Sequence, residues 1–357
     1  MRKEFENARK AWEALGDVRA VRRRLKMYTF GRQWEDPVTD GGGNVVPERV
    51  YYEQTGRQPL TNNLLRSLVK SVVGRFRQMA AGERETAGAA GGVSPSDVLV
   101  PGNRLEEMDA RALEEFLISG CAVQKVSRER RFEGTGVWVD NVNPDRFFCN
   151  RYQDPRGLDI RLAGMLHDMS LCEMKLRFGH RNRRRLRDIE MAFSRSVAGR
   201  GEPGVVSMAL MGCTTADVMW GRAQADGLCR VVEVWTFEDE GRGRMGWHGR
   251  FFTSDGTLID ETSSPYGHAG HPFVVTMYPL TDGEVHPFIE DVIDQQRHIN
   301  KLVTTIDHIL AHSAKGVLLY PHDALPAGVN FEDIVRIWSC PGAVVPVNGR
   351  SQHTPQE

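Results

Sequence analysis

The chain has 357 residues, of which 40% are hydrophobic and 26% charged, and a net charge of −1. That length and composition suit a globular protein of about one to three domains and exclude a disordered chain. No apolar run reaches the length of a membrane span, and the N-terminus, MRKEFENARKAWEAL, lacks the apolar core of a signal peptide.

The near-neutral balance argues against tight static binding in a DNA groove, which calls for a basic protein. Of the 46 basic residues only 8 are lysine. The arginine surplus fits either phosphate and carboxylate binding or a GC-rich genome. Charge is unevenly placed. Residues 177–200 carry eight arginines against Asp188 and Glu190, whereas 281–357 carry ten acids and five bases, a local balance of −5. The six cysteines, at 121, 149, 172, 213, 229 and 340, form no CxxC, so neither a zinc site nor a redox pair is indicated. Free thiols in a reducing compartment are the simplest account.

Residues 2–30 read as one helix. Phe5, Ala8, Trp12, Leu15, Val18, Val21, Leu25 and Tyr28 recur every three or four positions, with Gly16 as a weak point. The other face holds Arg9, Lys10, Arg19, Arg22, Arg23, Arg24 and Lys26, and is either solvated or in contact with phosphate. Gly41 to Gly43 mark a loop. Pro59 blocks helix just before a helical pattern through Leu64, Leu68, Val72 and Phe76, for which Thr61 or Asn62 is the expected cap. Residues 81–95 are rich in Ala and Gly and are expected to form a linker or surface loop. A helix over 103–119 stops at Gly120. AVQKVSRERRF and GVWVDNVNP then alternate across an EGTG turn at 133–136, the pattern of a hairpin.

Ser170, with Glu173 three residues on, predicts a capping box. The basic run HRNRRRLRDIEMAFSRSVAG predicts a second helix, ended by GRGEPG at 199–204. Residues 205–226 are small and polar and carry no clear pattern. From Leu228 the pattern becomes β: LCRVVEVWTFED, a hairpin around Ser254, Asp255 and Gly256, and HPFVVTMYPL. These predict a compact β-rich unit over about 228–280. Pro287 to Lys315 then reads as one amphipathic helix, about 40 Å long at 1.5 Å per residue. Gly316 is its expected cap. Gln296, Asn300 and Asp307 fall on or beside its apolar stripe and need partners there. The helix either crosses one domain or packs against copies of itself in a ring, using the amides as bonds between subunits. GVLLYP reads as a short strand after it, and PGAVVPV as an apolar segment.

Catalytic patterns are scarce. There is no GxxxxGK[ST], GxSxG or HExxH. His268 and His271 form an HxxH in a Gly-rich turn and read as surface loop. His308 and His312 share a helical face but have no acidic or Cys partner in register. Glu233 and Asp239 are the acids a metal-dependent nuclease would use, but no lysine lies between Lys175 and Lys301 to serve it. No cofactor or metal is expected.

Five segments together resemble the portal proteins of tailed bacteriophages, the head–tail connector family. They are YTFGRQWEDP at 28–37, similar to G-x-Q-W, and GRQPLTNNLLRSLVKSVVGRFR at 56–77, similar to R-x-x-L-T-x-N followed by V-x-G. LEEFLISGCAVQKVSRERRFEGTGVWVDNVNPDRFFCN is similar to a helix, hairpin and V-x-P-x-x-F turn. RVVEVWTF and IEDVIDQQRHINKL complete the set, the last similar to D-x-Q-x-x-x-N.

The resemblance implies an α+β, portal-like fold with a mixed wing, long stem helices and a small β-rich clip. It implies a wing at 1–169, a first stem region with the basic helix at 170–227, and a clip at 228–285. A second stem helix at 286–316 and the start of the channel loop and return to the wing at 317–357 would follow. Because the family continues into another long helix and a helical crown, the chain ending at Glu357 is expected to lack that crown. The implied protein is not an enzyme. It is a homo-oligomeric ring, usually a dodecamer, at the capsid vertex of the virion, assembled in the host cytoplasm. Double-stranded DNA passes through it in packaging and ejection. Its other partners would be the terminase large subunit, head–tail adaptors, and capsid and scaffold proteins, with no membrane. Arg181, Arg183, Arg184 and Arg187, with Gln296, Asn300 and Asp307, are the expected DNA-channel or inter-subunit residues. The alternative function is a phage-encoded metal-dependent nuclease or other DNA-processing enzyme.

Overall fold

The computed structural model describes residues 2–89, 104–131, 134–179, 183–198, 220–221, 223, 227–239, 241, 244–264, 270–278, 284–313, 320–321, 325–326, 328–338 and 345–348. It resolves into two compact units. The first comprises Met1–Gly31 and Leu64–Ile293, the second Arg32–Asn63 and Asp294–Glu357.

The first unit begins with α1 (Arg2–Ala14) and α2 (Gly16–Thr29). The single helix expected over 2–30 is thus broken at Leu15. The break serves packing. Ala8 and Trp12 of α1 lie in one apolar cluster with Phe148, Leu166, Val232, Val234 and Phe252. Leu25 and Tyr28 of α2 lie in another, with residues of α4 (Leu64–Ala89) and α5 (Leu105–Ser119). One straight helix could not face both. Helix α4 runs to Ala89, so the loop expected from residue 81 is helical over its first half, and 90–95 lie outside the described residues. Thr61 and Asn62 lie ahead of the α4 start at Leu64 rather than at its cap position.

Two antiparallel sheets complete this unit. In the smaller, β3 (Cys121–Arg131) pairs with β4 (Gly134–Val142) on one side and with β10 (Phe273–Met277) on the other. The larger has the order β5 (Phe147–Cys149), β6 (Leu162–Met169), β7 (Cys229–Asp239), β8 (Met245–Thr253) and β9 (Leu258–Ser263). This corrects the expected free-standing β-rich unit at 228–285. β7 pairs with β6 along its length, from Leu162↔Thr236 to Met169↔Cys229, and β10 pairs with β3. β7 is the central strand of its sheet and buried from Cys229 through Thr236, so both of its edges and both faces are covered. Gly164 permits the close packing here. A Cβ on it would stand 2.2 Å from the Glu233 carbonyl oxygen and 2.4 Å from the Phe148 ring.

Between β6 and β7 the chain forms α6 (Leu171–Phe178) and α7 (Arg183–Ala198). The capping box is present: the Ser170 hydroxyl accepts from the Glu173 N–H, and the Glu173 carboxylate accepts from the Ser170 N–H. The breaker at 199–204 and residues 205–219 lie outside the described residues.

The second unit holds a short hairpin, β1 (Pro37–Thr39) with β2 (Val45–Pro47), followed by α3 (Glu48–Gln54). Asp40 closes the hairpin, its carboxylate accepting from the Gly42 and Asn44 N–H groups. The long helix is confirmed as α8 (Phe288–Ser313). Its first turn belongs to the first unit, where Ile289 and Ile293 join the α2–α4–α5 cluster, and its remainder belongs to the second. Lys315 and Gly316 lie outside the described residues. A last helix, α9 (Phe331–Trp338), buries Ile334. Of the strand expected at GVLLYP, only Tyr320 and Pro321 are described, and they are not in a strand. Within PGAVVPV, only 345–347 are described, without regular structure.

Candidate functional site

Helix α8 carries Gln296, Asn300 and Thr304 at four-residue intervals, which puts them on one face. All three are buried, Gln296 at 2% and Asn300 at 1% exposure. Such groups must find hydrogen-bond partners or destabilise the fold. Their partners come from residues 33 and 60–62 of the same unit. Asn300 Nδ2 donates to Gln33 Oε1 at 2.5 Å, and Asn300 Oδ1 accepts from the Asn62 N–H at 3.0 Å. Gln296 Nε2 donates to the Asn62 carbonyl at 2.6 Å and to Asn300 Oδ1 at 2.9 Å. Thr304 Oγ1 accepts from the Leu60 N–H at 3.0 Å. On the other side, Gln33 Nε2 donates to Asn63 Oδ1 and Trp34 Nε1 to Thr61 Oγ1. Glu48, also buried, lies between Arg297 and Lys301 at 3.4 and 3.3 Å, and Asp36 stands 3.5 Å from Arg297.

The polar residues of three of the quoted motifs therefore converge: Gln33 and Trp34 of G-x-Q-W, Thr61 and Asn63 of L-T-x-N, and Gln296 and Asn300 of D-x-Q-x-x-x-N. Gln296 and Asn300, expected as DNA-channel or inter-subunit residues, here bond within their own chain. Both are enclosed by their own chain, with the amides already engaged there. Asp307, one turn beyond Thr304, is exposed. So are Leu302, Ile306, Ile309 and Leu310, which recur at helical spacing along the later half of the helix. The helix thus buries Ile289 and Ile293 near its start and polar groups along its middle, and exposes aliphatic ones toward its end.

The arginines expected to act with them are less fully placed. Arg187 is an exposed residue of α7. Arg183 and Arg184 lie in the first turn of α7 with their side chains outside the described set, and Arg181 lies outside the described residues altogether. Gln296 and Asn300 belong to the other unit.

A second polar cluster sits where the two sheets of the first unit meet, and the sequence reading missed it. Glu233 on β7 is 0% exposed. Its Oε2 lies 2.7 Å from Lys125 Nζ on β3 and 2.5 Å from His167 Nε2 on β6, and its Oε1 accepts from Trp235 Nε1 at 2.8 Å. Arg177 of α6 lies 3.7 Å away and bonds Glu129, which is itself 3.6 Å from Lys125. Desolvation opposes the Glu233 charge, but the Lys125 ammonium and the His167 bond outweigh it and hold the carboxyl well below its usual range. Burial pushes the His167 imidazole down, against the pull of Glu233. The lysine thought to be missing from the neighbourhood of Glu233 is supplied by Lys125, from a strand in the other sheet. It neutralises the carboxylate and closes the site. Asp239 lies six residues along the same strand, about 20 Å away at 3.3–3.4 Å per residue, so the two acids do not share a metal ion. Among the described residues no group of His, Cys, Asp and Glu has the arrangement of a metal site. His268 lies outside the described residues. His271 packs edge-on to Trp247 at 4.8 Å, and burial lowers its pKa to about 4.

The basic face of α2 is also revised. Arg19 and Arg22 are buried rather than solvated. Arg22 pairs with Glu115 and Asp145, both at 2.6 Å. Arg19 donates to the Trp12 carbonyl and stacks on the Trp12 ring at 3.9 Å, and burial lowers its pKa to about 10. Neither side chain is available to phosphate. Among the described cysteines, Cys121, Cys149 and Cys229 are buried free thiols and Cys172 an exposed one. No described helix is long and apolar enough to cross a membrane.

Two comparisons bear on what these arrangements are for. The model of the phage P22-like portal protein family matches residues 5–356. Among curated proteins, no match is found.

Proposed function

The chain belongs to the P22-like phage portal protein family, a structural family whose members form homo-oligomeric rings at the capsid vertex of the virion, and we propose that it conducts double-stranded DNA through such a ring during packaging and ejection. The ring is a dodecamer, put together in the host cytoplasm on capsid and scaffold proteins. It receives the terminase large subunit first and head–tail adaptors later. Helix α8 is the stem element, and the basic residues Arg181, Arg183, Arg184 and Arg187 face either the DNA or a neighbour's acids. Asp307 stands among the residues available to such a neighbour.

The observation that carries this reading is the row Leu302, Ile306, Ile309 and Leu310. All four are exposed, in a helix whose buried polar groups Gln296, Asn300 and Thr304 are bonded within their own chain. Exposed aliphatic rows of this kind mark association surfaces, and a helix packing against its symmetry mates in a closed ring buries such a row on every copy. The near-neutral chain suits a wall along which DNA slides, because each fixed arginine–phosphate contact adds salt-dependent affinity. Electron microscopy of the purified protein tests the proposal: closed rings with a central channel are expected. A monomer at every concentration examined refutes it.

A further inference from the structure

Two charged atoms near the break between α1 and α2 are left unanswered by the protein around them. Arg19 is 3% exposed. Its Nη2 donates to the Trp12 carbonyl, and its guanidinium stacks on the Trp12 ring at 3.9 Å. Its Nη1 is buried and bonds to no described group. Asp145 meets the same indole from the turn between β4 and β5, its carbonyl accepting from Trp12 Nε1 at 3.4 Å. Asp145 Oδ2 pairs with Arg22 at 2.6 Å, and the Asp145 N–H donates to Asn143 Oδ1 at 3.0 Å. Asp145 Oδ1, by contrast, is buried without a partner among the described residues. The Asp145 charge is close enough to favour the charged form of Arg19 against its burial. A buried charged group with an unbonded donor or acceptor is among the costlier features a fold can carry.

We infer that one buried water bridges Arg19 Nη1 and Asp145 Oδ1, and so ties the break at Leu15 to the V-x-P-x-x-F turn. The two ends select the ligand between them. It has to accept from a guanidinium and donate to a carboxylate. An anion would be repelled by Asp145 and a metal cation by Arg19, while an apolar group would satisfy neither. Water does both, and buried waters typically bond polar groups that the protein leaves unsatisfied. Each side chain is already held in place, Arg19 by the Trp12 carbonyl and ring and Asp145 by Arg22, so the water meets two fixed groups. The position matters for the fold. Ala8 and Trp12 pack in the cluster of the larger sheet, whereas Leu25 and Tyr28 pack with α4 and α5. The turn that carries Asp145 leads from β4 of the smaller sheet to β5 of the larger. A bridge here joins the point where the helices part to the point where the chain passes between the sheets.

A crystal structure of the protein that resolves ordered solvent tests the bridge without any variant. A solvent peak at about 2.7–3.2 Å from both Arg19 Nη1 and Asp145 Oδ1 is expected. A direct ion pair between the two side chains, or no peak between them, overturns the inference. An anomalous signal at that position in crystals grown with bromide overturns it as well, because it marks an anion. Arg19→Met gives a second reading, since it keeps a chain that covers the Trp12 ring and removes the donor. The peak should vanish in that variant; a peak that persists beside Asp145 shows that Arg19 does not hold it. If the variant does not fold, the density of the parent protein decides. None of these outcomes depends on ring assembly, so the portal reading stands or falls separately.

Discussion

Replacing Lys125 by Met tests whether Glu233 is the anchor between the two sheets. The carboxylate is wholly buried and its contact with Lys125 Nζ is 2.7 Å. Removing one partner of a buried pair costs about 3–5 kcal/mol, because the remaining charge is left uncompensated in a medium of low polarity. Arg177, 3.7 Å from the carboxylate, and the His167 bond remain, which places the expected loss near the lower bound, about 3 kcal/mol. Glu233→Gln keeps an acceptor for Trp235 but strands the ammonium with only Glu129 at 3.6 Å, and a similar loss is expected. The double variant removes both charges at once, so its loss should fall short of the sum by about 2 kcal/mol or more. Urea unfolding of the four proteins at pH 7 measures all three quantities through their midpoints. Single losses below about 1 kcal/mol, or additivity within about 0.5 kcal/mol, would refute the account of Glu233 as an anchor.

Three further outcomes are expected. Gly164→Ala should destabilise the first unit by about 3 kcal/mol or prevent folding, since the added carbon meets the backbone of β7 at 2.2 Å; a melting temperature equal to that of the parent would contradict the packing described. His271 has a folded pKa depressed to about 4 from 6.5, so the unfolded chain binds its proton first and stability falls as pH drops from about 6.5 to about 4, by on the order of 3 kcal/mol. Stability curves against pH for the parent and His271→Phe should therefore diverge in that window and run parallel above it. Ile306→Glu combined with Leu310→Glu should abolish rings and leave the circular dichroism of the subunit intact; rings of normal size would show that this row is not the contact.

The parts of the fold that were legible in the sequence are those with local causes. The capping box at Ser170 and Glu173, the β3–β4 hairpin and the 26-residue helix α8 each follow from residues close together in the chain. What was not legible depends on pairings across long separations. Nothing near β7 announces that its neighbour is β6 rather than only β8. Lys125 and Glu233 are 108 residues apart, and Arg22 and Glu115 are 93 apart. The lysine that pairs with Glu233 is therefore not among its neighbours in the sequence. Gln296 and Asn300 are legible as polar groups on an apolar stripe, where they need partners. The stripe could not say whether the partner was the same chain or another copy, because an amide's donors and acceptors suit both.

The sheet order has a bearing on how the polypeptide emerges from the ribosome. A nascent chain that has reached residue 227 possesses β6 without β7 and β3 without β10, so each sheet presents an open, hydrogen-bond-hungry border. Vectorial folding from the N-terminus is thereby blocked until residues 229–277 arrive, and an early stop in translation leaves a sticky fragment rather than a smaller folded one. Completion of the subunit is in this way a precondition built into its strand pairing, which keeps unfinished copies from presenting a finished surface to their neighbours.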